Sequence, residues 1–96
     1  MDNREGLIKV GKKPFMTYLR VAQLQFKKTD KIKIVARGIN ICRAVDLSEV
    51  LCKKLIRGAV VDKIILDSEA VDDHKRKGQK INISSIEITL IKSKDL

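Results

Sequence analysis

The chain reads as an α+β domain, a two-layer β-α-β-α-β-β sandwich in which two helices cover one face of a mixed four-stranded sheet. Three observations predict it. Short β-branched runs alternate with two segments of helical apolar spacing, in the order strand, helix, strand, helix, strand, strand. Each helical segment is apolar on one side, so both need an apolar surface to cover, and a sheet face supplies it. Finally, 96 residues with 44% apolar side chains provide one core of ordinary size. A single domain over 1–96 is expected, with residues 1–6 disordered and without internal repeats or linkers.

Leu7-Ile8-Lys9-Val10 is a short strand closed by Gly11. Pro14 opens a helix, because its missing N–H costs nothing at the first position and its φ is already helical. Phe15, Leu19, Ala22 and Phe26 then recur at helical spacing, and Lys27 and Lys28 stand where the helix dipole favours cations. Lys31-Ile32-Lys33-Ile34 alternates and continues through Val35-Ala36 as a second strand. The short crossover makes it parallel to the first.

Arg37-Gly38-Ile39-Asn40 connects to a helix over 41–55, with Gly38 free to take positive φ and Asn40 as N-cap. Its apolar side is assigned to Ile41, Ala44, Val45, Leu51 and Leu55, and Cys42 is placed in the core. Gly58 ends it. The run 60–66 is a third strand and 81–91 a fourth. The fourth changes phase at Ser84-Ser85: Ile81 and Ile83 share one face, Ile86, Ile88 and Leu90 the other. Either a bulge lies there, or the first half leaves the main sheet and meets different neighbours. Between the strands, residues 72–80 contain no apolar side chain. A projecting hairpin arm over 67–83 is the expectation.

Charge is the strongest global signal. Lys and Arg total 21 against 12 Asp and Glu, a net charge of +9, which favours a polyanionic partner. Aromatics are scarce: only Phe15, Tyr18 and Phe26 could stack on single-stranded bases. Cys42 and Cys52 lack metal-ligand spacing, and no apolar run reaches the ~20 residues of a membrane span. No signal-peptide pattern opens the sequence. A soluble intracellular protein is expected, in chromatin (nucleus or nucleoid), the cytoplasm or both.

Basic residues gather at three places. Lys12 and Lys13 stand at the mouth of a helix, where free backbone N–H groups and the positive dipole end favour an anion. Gly-Lys-Lys-Pro lacks the Walker frame that cradles nucleotides. Arg37 ends the second strand on the edge where the second helix begins, and its planar fork suits phosphate. Asn40 can add a hydrogen bond or simply cap the helix, and Arg43 can reach a phosphate or pair with Asp46. Lys75, Arg76, Lys77 and Lys80 make the hairpin tip basic, suited to a groove of either duplex. Catalytic residues, a metal site, a cofactor and a small-molecule substrate are not indicated. His74, the single histidine, lies in the charged loop.

Gly11-Lys12-Lys13-Pro14, Ala36-Arg37-Gly38, Arg43-Ala44-Val45-Asp46 and Ser85-Ile86-Glu87-Ile88 stand in the order and contexts of the Alba family. The resemblance spans nearly the whole chain. It implies the fold shared with the C-terminal domain of translation initiation factor 3, a dimer (of like chains or with a paralogue), and binding to double-stranded DNA, RNA or both. It implies that the lysine pair and the arginine loop line the body of the site. The hairpins would reach as arms towards the minor groove. Lys12 matches a lysine that is acetylated in the family. Ile39 departs from the pattern, standing where a second basic residue is expected.

The function expected is coating or compaction of nucleic acid with low sequence specificity through backbone phosphates. The alternatives are an RNA-directed role in ribonucleoprotein assembly, RNA processing or translational control, and a scaffold subunit that holds protein partners.

Overall fold

The computed structural model describes residues 5–93. Its strands are β1 (Gly6–Lys9), β2 (Lys31–Arg37), β3 (Ala59–Asp72) and β4 (Lys80–Lys92). The helices are α1 (Phe15–Phe26) and α2 (Ile41–Val50). A 3-10 turn (Gly38–Asn40) leads into α2, and a π-helical turn (Leu51–Leu55) follows it. The sheet order is β1-β2-β4-β3. β1 and β2 pair in parallel, and the other neighbours are antiparallel. The expected α+β sandwich is thus the observed fold.

Both layers follow from periodicity. Ile32, Ile34 and Ala36 of β2 and Ile86, Ile88 and Leu90 of β4 point to one face and are buried. Tyr18, Leu19, Ala22 and Phe26 of α1 cover them, with Ala44 and Leu47 of α2 and Leu51 of the π turn. Fully burying a Leu- or Ile-sized side chain contributes roughly 1.5–3 kcal/mol, so this one cluster supplies most of the driving force.

Several expectations are corrected. Pro14 is the N-cap of α1 (ψ 142°) and not its first helical residue. Asn40 makes no side-chain cap hydrogen bond, because the 3-10 turn already gives it helical backbone angles (φ −83°, ψ −4°). Cys42 is exposed, not core. It lies about 200° around the helix from buried Ala44. Val45 and Leu55 are exposed, and Leu47 and Ser48 are buried instead. Leu55 is turned out by the wide π turn, closed by Ile56 N donating to Leu51 O at 2.8 Å. Ile56 packs against the core in its place.

Of residues 1–6, expected to be disordered, 1–4 lie outside the described residues. Gly6 pairs with Ile32. The Glu5 carboxylate stands 3.6 Å from Lys31 Nζ and 3.5 Å from Lys33 Nζ, so both residues are tied to the sheet.

The phase change in β4 has its reason in the register. β2 ends with Arg37 opposite Ser85. Beyond that pair β4 has only β3 beside it, from Ser68 opposite Ser84 to Asp72 opposite Lys80. No bulge interrupts Ser84-Ser85; the register shift lies on β3 between Val61 and Lys63. The first half of the strand has left the main sheet. This two-stranded ribbon adds roughly 17 Å of strand rise to a molecule 53 Å long and 21 Å thick.

Candidate nucleic-acid interface

Parallel pairing makes β1 and β2 leave the sheet at the same edge, and Val10 N donating to Val35 O at 2.8 Å carries the pairing to the foot of both connections. The loop Gly11-Lys12-Lys13-Pro14 and the turn Arg37-Gly38-Ile39-Asn40 therefore emerge side by side. Because Arg37 is also the last partner of β4, the root of the ribbon stands at this edge too. Gly38 makes the sharp exit from β2 with φ +57°, a conformation that side chains disfavour.

The lysine loop is fastened from beneath by two residues. Tyr18 Oη accepts from Gly11 N at 2.8 Å and Lys13 N at 3.1 Å. Arg43 donates through one guanidinium nitrogen to Gly11 O and through the other to Lys13 O at 2.6 Å. Its guanidinium also lies over the Tyr18 ring, 5.5 Å from the centroid. Two consequences differ from the sequence expectation. Arg43 is turned onto the loop rather than outward, and no ion pair to Asp46 is among the described contacts. The N–H groups of Gly11 and Lys13 are committed to Tyr18, so neither can hold an anion. What the loop presents outward is the exposed side chains of Lys12 and Lys13, beside the positive end of α1.

Removing Arg43 therefore has a structural signature. Arg43→Ala should lower unfolding free energy by about 1–3 kcal/mol, the range for charge-assisted hydrogen bonds, as read by urea denaturation. Arg43→Lys should not restore it, because one ammonium cannot span two carbonyls as the guanidinium fork does. Full rescue by lysine would show that only the charge mattered.

Arg37 is exposed and ion-paired with Glu69 of β3. Asn40 is half-buried and shares a shallow depression of about 510 Å³ with Lys9, Arg37 and Asp67. Ile39 is 89% exposed and supplies no cation. At the ribbon tip, Asp73 Oδ1 accepts from Lys75 N at 2.9 Å, and Asp73 N donates to Gln79 O at 2.9 Å. This self-closed turn leaves Lys75, Arg76 and Lys77 exposed. Lys80, inside β4, lies 3.7 Å from the Asp72 carboxylate.

Other chemistry is thinly represented. Among the described residues, no three His, Cys, Asp or Glu side chains gather to hold a metal. Burial, and then the Glu49 charge, push the Cys52 thiol up, so it stays protonated near neutrality. No described helix is long and apolar enough to cross a membrane.

The Alba family model matches residues 7–67, well over half of the chain. The chain belongs to the Alba family. A DNA/RNA-binding protein Alba from Picrophilus torridus is 43% identical over 88 residues, covering 90% of this chain and 94% of that relative. Another of the same description from Nanoarchaeum equitans is 44% identical over 85 residues, covering 86% and 93%. The solved structure of Alba from Thermoplasma volcanium superposes with a TM-score of 0.79 at 41% identity, covering 91% of this chain and all of that one. The match to the Alba model stops at Asp67, opposite Ser85, where β4 loses its β2 partner.

Two residues of this interface escape sequence reasoning. Tyr18 is legible only as a stacking candidate, and it is buried under the loop. Glu69 carries no motif at all. The available signal for Tyr18 was its place one turn inside the helix that Gly-Lys-Lys-Pro opens.

Proposed function

We propose that this Alba-family chain acts as a dimer that binds duplex DNA and RNA along their phosphate backbones with little dependence on sequence. The observation that carries this reading is the meeting of the Lys12–Lys13 loop, Arg37 and the basic ribbon at one edge of the sheet. Phosphate contact needs cations spaced along a surface rather than a pocket. The names of the similar proteins, DNA/RNA-binding protein Alba, support the same partners. Tyr18 and Phe26 are buried and the partly buried Phe15 packs against the core, an arrangement poor in stacking surface that favours duplexes over single strands. Acetylation of Lys12 would weaken such binding by removing one charge. The work would be done on chromatin, on cytoplasmic RNA or on both.

Dimerisation rests on β3. It is one of the sheet's two edge strands, and Val60, Val61, Ile64, Ile65 and Leu66 are all between 45% and 73% exposed. A long apolar edge left open invites pairing or aggregation, so a second copy of the chain is the natural cover.

The ribbon tests the reading. Replacing residues 73–79 by Asn-Gly, a two-residue hairpin turn, removes Lys75, Arg76 and Lys77 while keeping Asp72 paired with Lys80. The dimer should persist, with duplex affinity down about tenfold or more and a shallower salt dependence. Unchanged affinity would exclude the ribbon from the interface.

A further inference from the structure

We propose that Glu69 governs the Arg37 phosphate seat: its carboxylate occupies the guanidinium in the free protein and is displaced when a phosphate binds. This rests on the reading of Arg37 as a phosphate contact and adds how that contact is controlled.

The register puts Glu69 where it can do this. Arg37 is opposite Ser85, Ser85 is opposite Asp67, and Glu69 stands two residues further along β3 on the same face. The end of β2 is thereby bridged to the ribbon by an ion pair between Arg37 Nη2 and a Glu69 carboxylate oxygen. Among the described residues, Lys12, Lys13, Lys75, Arg76 and Lys77 make no ion pair, so Arg37 differs from most of the cations it would act with. Carboxylate and phosphate oxygens suit the same guanidinium fork, and one fork face cannot hold both fully. Glu69 thus marks the place a phosphate oxygen would take, at the root of the ribbon.

Exposure decides that the pair can open. Both side chains are 57% exposed, so water reaches them and the pair is exchangeable rather than locked. While closed, it holds the fork over the ribbon and cancels one charge of the seat. An adjoining open depression, lined by Arg37, Val71, His74, Lys75 and Ile81, leaves room for an incoming strand. Asp72 and Asp73 also line it, so the seat is restrained by more carboxylate than Glu69 alone, and Glu69 is the one in contact.

The test is a mutant cycle on the full chain, read by anisotropy of a labelled 20-base-pair duplex at about 100 mM salt. Any neutralised carboxylate strengthens binding to a polyanion, so Asp67→Asn supplies the size of that general effect. Asp67 sits on the same face of β3 and carries no ion pair among the described residues. Glu69→Gln should tighten binding about three- to fivefold more than Asp67→Asn, the range an exposed pair allows. That excess should vanish in an Arg37→Ala background. Glu69→Ala, which cannot hydrogen-bond Arg37, should behave like Glu69→Gln.

A gain no larger than that of Asp67→Asn, a gain that survives without Arg37, or weaker binding by both Glu69 variants would overturn the proposal. In those cases Arg37→Ala alone would still weaken binding, and the phosphate reading of Arg37 would stand. Equal binding by Arg37→Ala and the unaltered protein would overturn that reading and the proposal together.

Discussion

Replacing both Lys12 and Lys13 by Ala should weaken duplex binding about 10²–10³-fold near 0.15 M salt. A dimer loses four phosphate contacts, and each contributes about five- to sixfold at that salt relative to 1 M, from a slope of ~0.9 per contact. The fold should be untouched, since exposed substitutions shift stability by about 0.5 kcal/mol or less. The loop should keep its shape as well: Tyr18 and Arg43 hold the main chain of Gly11 and Lys13, not the lysine side chains. Lys12→Gln, which mimics acetylation, removes one contact per subunit and should cost about 10–30-fold. Anisotropy titrations on duplex DNA and duplex RNA measure both. A loss under threefold in the double variant would remove the pair from the interface.

Ile64→Asp combined with Leu66→Asp should give a folded monomer. Both positions are on β3 opposite Ile88 and Ile86, facing the helix side of the sheet beyond the cover of α2, and they are 53% and 73% exposed. In the single chain the carboxylates meet water at little cost. At a dimer interface each would be buried without a partner, a penalty of several kcal/mol that association cannot absorb. Sedimentation equilibrium should report two chains for the unaltered protein and one 10.9 kDa chain for the variant. With half the contacts, affinity should fall by more than about 10³-fold and the salt slope should halve. A monomeric unaltered protein would refute the dimer, and a variant that remains dimeric would place the partner surface elsewhere.

The parts of the fold that were legible are those where apolar spacing has one consistent period. Phe15–Phe26 and Lys31–Arg37 are such segments, and their positions follow from Leu19, Ala22 and Phe26 and from Ile32, Ile34 and Ala36. The second helix is less legible because its spacing is not constant. The π turn at Leu51–Leu55 inserts an extra step, which turns Leu55 out, while before it Ala44, Leu47, Ser48 and Leu51 keep regular helical spacing and the polar Ser48 hides that stripe.

The outer half of β3 falls in the hairpin arm expected over 67–83, but its own residues carry no strand pattern, for a different reason. Asp67-Ser68-Glu69-Ala70-Val71-Asp72 lies in a ribbon open on both faces, so no alternation is demanded of it. At the interface, the cations were legible by residue type and the helix boundaries around them. The contacts that position them were not, because Arg43 to Gly11 and Arg37 to Glu69 join residues 32 positions apart in sequence.

The central claim is that phosphates, not bases, provide the affinity. If each subunit offers Lys12, Lys13, Arg37 and one or two ribbon cations, a dimer makes roughly 8–10 phosphate contacts. The measurement is the affinity of the unaltered dimer for duplexes of equal length and unrelated sequence, from 50 to 200 mM salt. The slope of log K against log salt should be about −7 to −9 on DNA, the same for every sequence, with affinity falling roughly 10⁴–10⁵-fold. A slope near −2, or one sequence preferred by the ~1–3 kcal/mol that each base-edge contact supplies, would contradict the account.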